Sequence, residues 1–455
     1  MASTTDKTAK TPRRTPARKT SPYKPVDAVE VMAWGRRVGA VTLEPTKNYY
    51  AFQYDPSWIA TGIELAPLAM PLAQADEPFL FTALPEPTFK RLPALLADAL
   101  PDDFGNALID AWMAERGIAK GAITPLDRLA YMGKRGMGAL TFSPMRGPTP
   151  SKPTAIEMGK LVNAARMAVQ GDFDGEDHTA AALRQIISVG TSAGGARAKA
   201  TIARSVETDE VRTGQFDIPP GFEAWLLKFD GMGPDQQLGE SKSYGRIEYA
   251  YYLMARAADI DMSPCELLEE NGRAHFMTRR FDRTGNTRHH MQTLCAMAHL
   301  DYKQVATHSY NQLFQAAGAL NLGREAMAQI LRRMVFNVLA VNNDDHTKNF
   351  SFLLREGGRW ELAPAYDVTF AFNPDNVWIK NHLMSVNGKF SNITRADVRE
   401  VAERFDLLAE LPETIDSISK AVARWPEFAA RARVDPAERQ RIGQHIAQHG
   451  NIFIG

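Results

Sequence analysis

Residues 340–354 read AVNNDDHTKNFSFLL. An apolar run of helical character, AMAQILRRMVFNVLA (326–340), leads into the polar loop NNDDHTKN, and FSFLL then reads as a strand. Asp344 and Asn349 stand five residues apart in that loop. One short turn can then present both to the same point, Asp344 to orient an attacking hydroxyl and Asn349 as an oxygen ligand for magnesium. A hairpin with Gly357-Gly358 at its turn follows, and Asp367, in PAYDVTF, comes eighteen residues after Asn349. A single Asp or Asn in a loop reads first as a turn or capping residue. The apolar helix, the spacing, His346, the hairpin and Asp367 together read as a centre for phosphoryl transfer, with Asp367 as the main metal carboxylate.

Such a centre also needs a cation on the phosphates, delivered from an upstream strand. Lys228 is the lone lysine in the apolar strand AWLLKFDG (224–231), where an unpaired charge is costly. Glu248 follows twenty residues later on the amphipathic helix GRIEYAYYLMARAAD, placed to pair with Lys228. Between residues 188 and 203 the chain reads SVGTSAGGARAKATIA. Its glycines do not form a P-loop, because Ala196 stands where Gly-Lys-Ser/Thr would have to continue. The loop reads as flexible chain able to approach phosphates.

The chain has 455 residues, of which 44% are hydrophobic and 23% charged, the composition of a soluble globular protein. Residues 1–25 carry seven Lys/Arg and one Asp, which leaves 46 basic and 52 acidic residues in the remainder. That segment has almost no apolar side chains and reads as a disordered basic tail. The mildly acidic remainder calls for neither nucleic acid nor an anionic membrane. The two cysteines, Cys265 and Cys295, are not in a Cys-x-x-Cys pair, which speaks against disulfides and a cysteine zinc site and fits a reducing cytoplasm. No apolar run is long enough to span a membrane and no secretory leader is evident.

Taken together, DDHTKNFS (344–351), APAYDVTFA (363–371), VGTSAGGARAKATI (189–202), RRFDR (279–283) and IEYAYYLMA (247–255) resemble the HipA family of bacterial serine/threonine kinases, the toxins of HipBA-type toxin–antitoxin pairs. The likeness extends to DALPDDFGNALID (98–110) and PLDRLAYMGKRGMGALTFSP (125–144). It implies an α+β, two-lobed protein-kinase-like fold of the phosphatidylinositol 3/4-kinase type. The expected divisions are a β-rich N-terminal subdomain (26–147), a kinase N-lobe (148–283) and a mainly helical C-lobe (284–455).

The resemblance further implies ATP and Mg2+ as cofactors. Asp344 is then catalytic, Asn349 and Asp367 bind the metal, and Lys228 holds the phosphates. Gly194, Gly195, Ala196 and His346 border the nucleotide, and the backbone of Arg279 and Phe281 meets the adenine. Ser192, or its neighbour Thr191, occupies the place of an autophosphorylated serine that switches the kinase off. The implied partners are a HipB-like helix-turn-helix antitoxin, DNA only through that antitoxin, and a protein substrate such as an aminoacyl-tRNA synthetase. Two positions depart from the family pattern. Arg279 replaces a glutamate, and Asp345 replaces the glycine after the catalytic aspartate, a second carboxylate expected to face solvent. A lipid or small-molecule kinase, or a silent kinase fold acting only as a corepressor, are the alternatives.

Overall fold

The computed structural model describes residues 23–148, 158–170, 186–187, 197–230 and 243–454. Most of the basic tail, and the loop carrying Thr191, Ser192, Gly194, Gly195 and Ala196, lie outside the described residues. The chain first forms a meander of β1 (Ala28–Ala33), β2 (Arg36–Glu44) and β3 (Tyr49–Tyr54). Val29, Val31 and Ala33 alternate onto the buried face of β1, as period-two patterning requires. A fourth strand, β4 (Leu140–Ser143), returns to pair antiparallel with β1, giving the order β3-β2-β1-β4. Between β3 and β4 run helices Asp103–Ala114 and Pro125–Met132, the second started by a reciprocal cap between Thr124 and Asp127.

A five-stranded antiparallel sheet follows, built from β5 (Lys199–Ser205), β6 (Val211–Thr213), β7 (Phe222–Lys228), β8 (Cys265–Glu270) and β9 (Arg273–Arg279) in the order β6-β5-β7-β9-β8. The sequence suggests a strand pair over 275–283, but β9 stops at Arg279 and pairs with the upstream β8. β8 reads CELLEE and lies at the sheet edge with only Cys265 buried, so it lacks the apolar alternation that marks a strand. Helix Tyr244–Ala257 packs on β9 at Gly245, where an added Cβ would lie 2.1 Å from the Ala274 carbonyl oxygen. Only a glycine lets this helix approach the strand so closely.

The C-terminal part is dominated by six helices of seven residues or more, from Tyr310–Ala319 to Pro436–Ile454. It is not wholly helical. His290–Thr293, Ser351–Leu354 and Trp360–Leu362 make a three-stranded antiparallel sheet that includes the expected hairpin. The N-terminal unit is fastened to this body at separated points. Asp98 accepts hydrogen bonds from the Thr293 amide (2.8 Å) and hydroxyl (2.9 Å), and Trp360 donates to the Glu64 carbonyl at 3.1 Å. Buried Asp282 accepts from the Gly138 amide at 2.8 Å and binds Arg280 and Arg283, which makes RRFDR a structural knot at the junction. Among the described residues no helix is long and apolar enough to cross a membrane.

Candidate active site

Helix Gly323–Leu339 is buried along its last turns, from Met334 to Leu339, and ends by turning Val341 into the left-handed region, φ +56°. The Asn342 amide then reaches back to the Asn337 carbonyl at 2.9 Å, closing the helix end. A β-branched residue in that conformation is strained, and it is held by the Asn343 amide bonding the Ala371 carbonyl and the Ala371 amide bonding the Val341 carbonyl, at 3.0 and 3.1 Å. The chain thus enters 342–349 on a fixed course.

Asn349 donates its side-chain amide to the Asp344 carbonyl at 2.7 Å, the closure that the five-residue spacing allows. Its Oδ1 remains an acceptor, and Asn349 lines a cleft together with Lys199, Lys228, Glu248, His346 and Asp367. Lys228, the last residue of β7, pairs across the sheet with Lys199 on one side and Phe276 on the other. Its ammonium lies 2.5 Å from Glu248 Oε1 and also contacts Asp367 Oδ1. Glu248 and Lys228 are therefore partners, as their spacing suggests. Burial works to raise the Asp367 carboxyl, but Lys228 outweighs it and holds the group down at about 2. Burial works to lower the Lys228 ammonium, and its two carboxylates lift it above the ordinary lysine value. Asp367 itself has φ +53°, a second non-glycine residue in the left-handed region at this centre.

Asp344 lies at the edge of a groove that runs toward the N-terminal helix Asp103–Ala114 and contains Lys90, Asp103 and Lys303. Burial raises its carboxyl above the usual range, against the pull of His346 and a hydrogen bond from Trp378. His346 borders both cavities, and its buried Nδ1 has no partner among the described residues. Arg279 and Phe281 line the cleft at the junction, with the Phe281 ring 5.6 Å from that of Tyr366. The structure therefore brings together Asp344, Asn349, Asp367, Lys228, His346, Arg279 and Phe281, while the glycine-loop residues lie outside what it describes. Among the described residues no group of three or more His, Cys, Asp or Glu forms a metal cluster. Asn349 and Asp367 carry an amide oxygen and a carboxylate of the kind that could hold a magnesium ion shared with phosphates.

One expectation fails. Asp345 does not face solvent, since its residue is 1% exposed. It accepts hydrogen bonds from Tyr310 Oη (2.8 Å) and the Leu383 amide (2.7 Å), and lies 2.9 Å from His382 Nδ1. Its donors stand 35 or more residues away, so local sequence gives no sign of them. Two contributors to the site escape the sequence reading. Lys199 reaches it by strand pairing opposite Lys228 and binds Asp102, 3.1 Å away, whose carboxyl burial pushes up to about 6. Trp378 donates its indole N–H to Asp344 Oδ1 at 2.8 Å.

A β-sheet lobe and a helical lobe, with a strand lysine, a helix glutamate and a loop-borne Asp, Asn and Asp meeting between them, define a kinase-like class of fold. The chain belongs to the HipA family: residues 191–430 match the HipA-like C-terminal domain and residues 29–143 the HipA N-terminal domain. A chain of the Shewanella oneidensis MR-1 toxin–antitoxin complex of HipA, HipB and operator DNA superposes with a TM-score of 0.63 over 93% of this chain and 96% of its own, at 17% identity. A Sinorhizobium fredii protein named as kinase Y4mE is 25% identical over 231 residues. That match covers 46% of this chain and 54% of the relative, so the chain spans about half the length of this curated relative.

Proposed function

We propose that this chain is an ATP- and magnesium-dependent serine/threonine protein kinase that acts as the toxin of a HipBA-type pair. The observation that carries this reading is the contact of Lys228 with both Glu248 and Asp367 in a cleft that also holds Asn349. A buried lysine between two carboxylates, beside a loop with a hydroxyl-orienting Asp344, has little to do in a purely structural core. When bound, magnesium–ATP supplies the transferable phosphoryl group and the charge that neutralises it.

The chain's own residues do the remainder. Lys228, held by Glu248, meets the phosphates, and the Asn349 oxygen and Asp367 carboxylate hold the metal. The slot between Leu226, Phe276, Phe281 and Tyr366 takes the base, with Arg279 at its rim. Asp344 orients the acceptor hydroxyl and takes its proton. The presence together of Lys228, Asp344, Asn349 and Asp367 favours this over a silent corepressor. The protein acceptor, of which an aminoacyl-tRNA synthetase is the leading candidate, the HipB-like antitoxin that links the chain to DNA, and a cytoplasmic setting follow from family membership by analogy. So does self-silencing at Ser192 or Thr191. The Asp-x-His-x-x-Asn order shared with phosphatidylinositol kinases leaves a lipid acceptor as the second reading.

The test is incubation with magnesium and radiolabelled ATP followed by phosphosite mapping. Label on the chain at Ser192 or Thr191, lost in Asp344→Gln, supports the reading. Label only on a lipid, or equal label in Asp344→Gln, overturns it.

A further inference from the structure

Three consecutive loop residues grip one distant segment. Asn343 donates its side-chain amide to the Ile379 carbonyl at 3.1 Å, Asp344 receives the Trp378 indole at 2.8 Å, and Asp345 receives the Leu383 amide at 2.7 Å. The outer two are 2% and 1% exposed, so they fasten residues 379–383 from within the protein. Asp344 differs, because its side chain is 25% exposed and opens on the groove. The Trp378 bond is thus not needed to hold the segment down. Trp378 is in turn fixed by its own backbone, whose amide donates to Asn376 Oδ1 at 2.8 Å, and by ring contacts to His346 (6.0 Å) and Tyr302 (6.1 Å).

We propose that Trp378 is a positioning residue for phosphoryl transfer, setting the rotamer of the Asp344 carboxylate so that Oδ2 faces the acceptor hydroxyl. The inference rests on the kinase reading above. A carboxylate on a loop swings about its terminal torsion, which is broad. A hydrogen bond from a rigid indole to Oδ1 removes that freedom, and among the described residues no hydrogen bond engages Oδ2. Holding a reacting group in place raises the rate of the bound complex more than it alters the binding of a nucleotide it does not touch. Asn343 and Asp345 act one step further back, by holding the backbone that carries the indole.

The experiment compares wild type with Trp378→Phe, which keeps an aromatic ring without the donor, and Trp378→His, which restores an N–H. With self-phosphorylation as the readout, Trp378→Phe lowers the rate constant at saturating ATP about tenfold with the half-saturating ATP concentration and the melting temperature unchanged, and Trp378→His recovers most of the loss. A wild-type rate constant in Trp378→Phe, or a fall matched by an equal fall in Trp378→His, overturns the proposal. An arm independent of activity uses the indole 1H–15N resonance of Trp378, identified by its absence from Trp378→Phe. It must lie downfield and move in Asp344→Asn, and a resonance indifferent to Asp344 overturns the positioning contact. Absence of phosphoryl transfer from wild type, with the resonance behaving as expected, counts against the kinase reading instead.

Discussion

Replacing Lys228 by methionine keeps much of the side-chain volume and removes the cation between Glu248 and Asp367. The three side chains are 11%, 3% and 28% exposed, so water compensates poorly for the loss. In the folded wild type the Asp367 carboxyl falls from 3.8 to about 2, which corresponds to about 2 kcal/mol of stabilisation. A carboxyl depressed on folding stabilises above its unfolded value, and the contribution is lost as pH falls from about 4 toward 2. Losing the shared cation costs about 3 kcal/mol, because Glu248 keeps Arg197 at 3.8 Å and Asp367 is partly open to water. Urea unfolding at pH 7 therefore shows Lys228→Met less stable by that amount. The deficit shrinks as the pH is taken down through 4, where the Asp367 carboxylate of the variant binds a proton. Nucleotide affinity, read by calorimetry, falls with it. A deficit that is constant with pH, or a variant as stable as wild type at pH 7, would refute the argument that these charges are coupled.

Asp345→Ala strands Tyr310, His382 and the Leu383 amide in the interior and lowers unfolding free energy by about 3 kcal/mol, while Asp345→Asn, which keeps an acceptor, costs about 1 kcal/mol; urea midpoints check both. Gly245→Ala drives a methyl into the Ala274 carbonyl and moves helix Tyr244–Ala257 off β9. It costs about 2 kcal/mol and weakens ATP binding as Glu248 withdraws, whereas the same change at half-buried Gly450, where an added Cβ meets open space, does neither.

The parts of the site that were legible in the sequence are those carried by local contrast. A polar loop after an apolar helix exposed Asp344 and Asn349, and one lysine in an apolar strand exposed Lys228. Glu248 was legible as its partner because a strand and the following helix meet in a predictable way. What could not be read depended on tertiary neighbours. Asp345 looks like its neighbour Asp344, yet one is buried and the other opens on a groove, because Tyr310 and residues 382–383 fold over only one of them. Lys199 and Lys228 meet through antiparallel register across 29 residues of chain. Trp378 lies in a stretch with no regular periodicity, and nothing in its surroundings points back to Asp344. The edge strand β8 hid behind its glutamates, and the meander gave no sign that β4 would return beside β1 instead of β3.

The central claim is that one cleft binds magnesium–ATP through Asp367 and transfers its phosphate through Asp344. The most direct measurement is paired: magnesium-dependent ATP binding and phosphate incorporation on wild type, Asp344→Asn and Asp367→Asn. The account predicts that Asp344→Asn binds ATP about as well as wild type but loses phosphate transfer by orders of magnitude. It predicts that Asp367→Asn loses both magnesium dependence and transfer. Phosphate incorporation at the wild-type rate in either variant would contradict it.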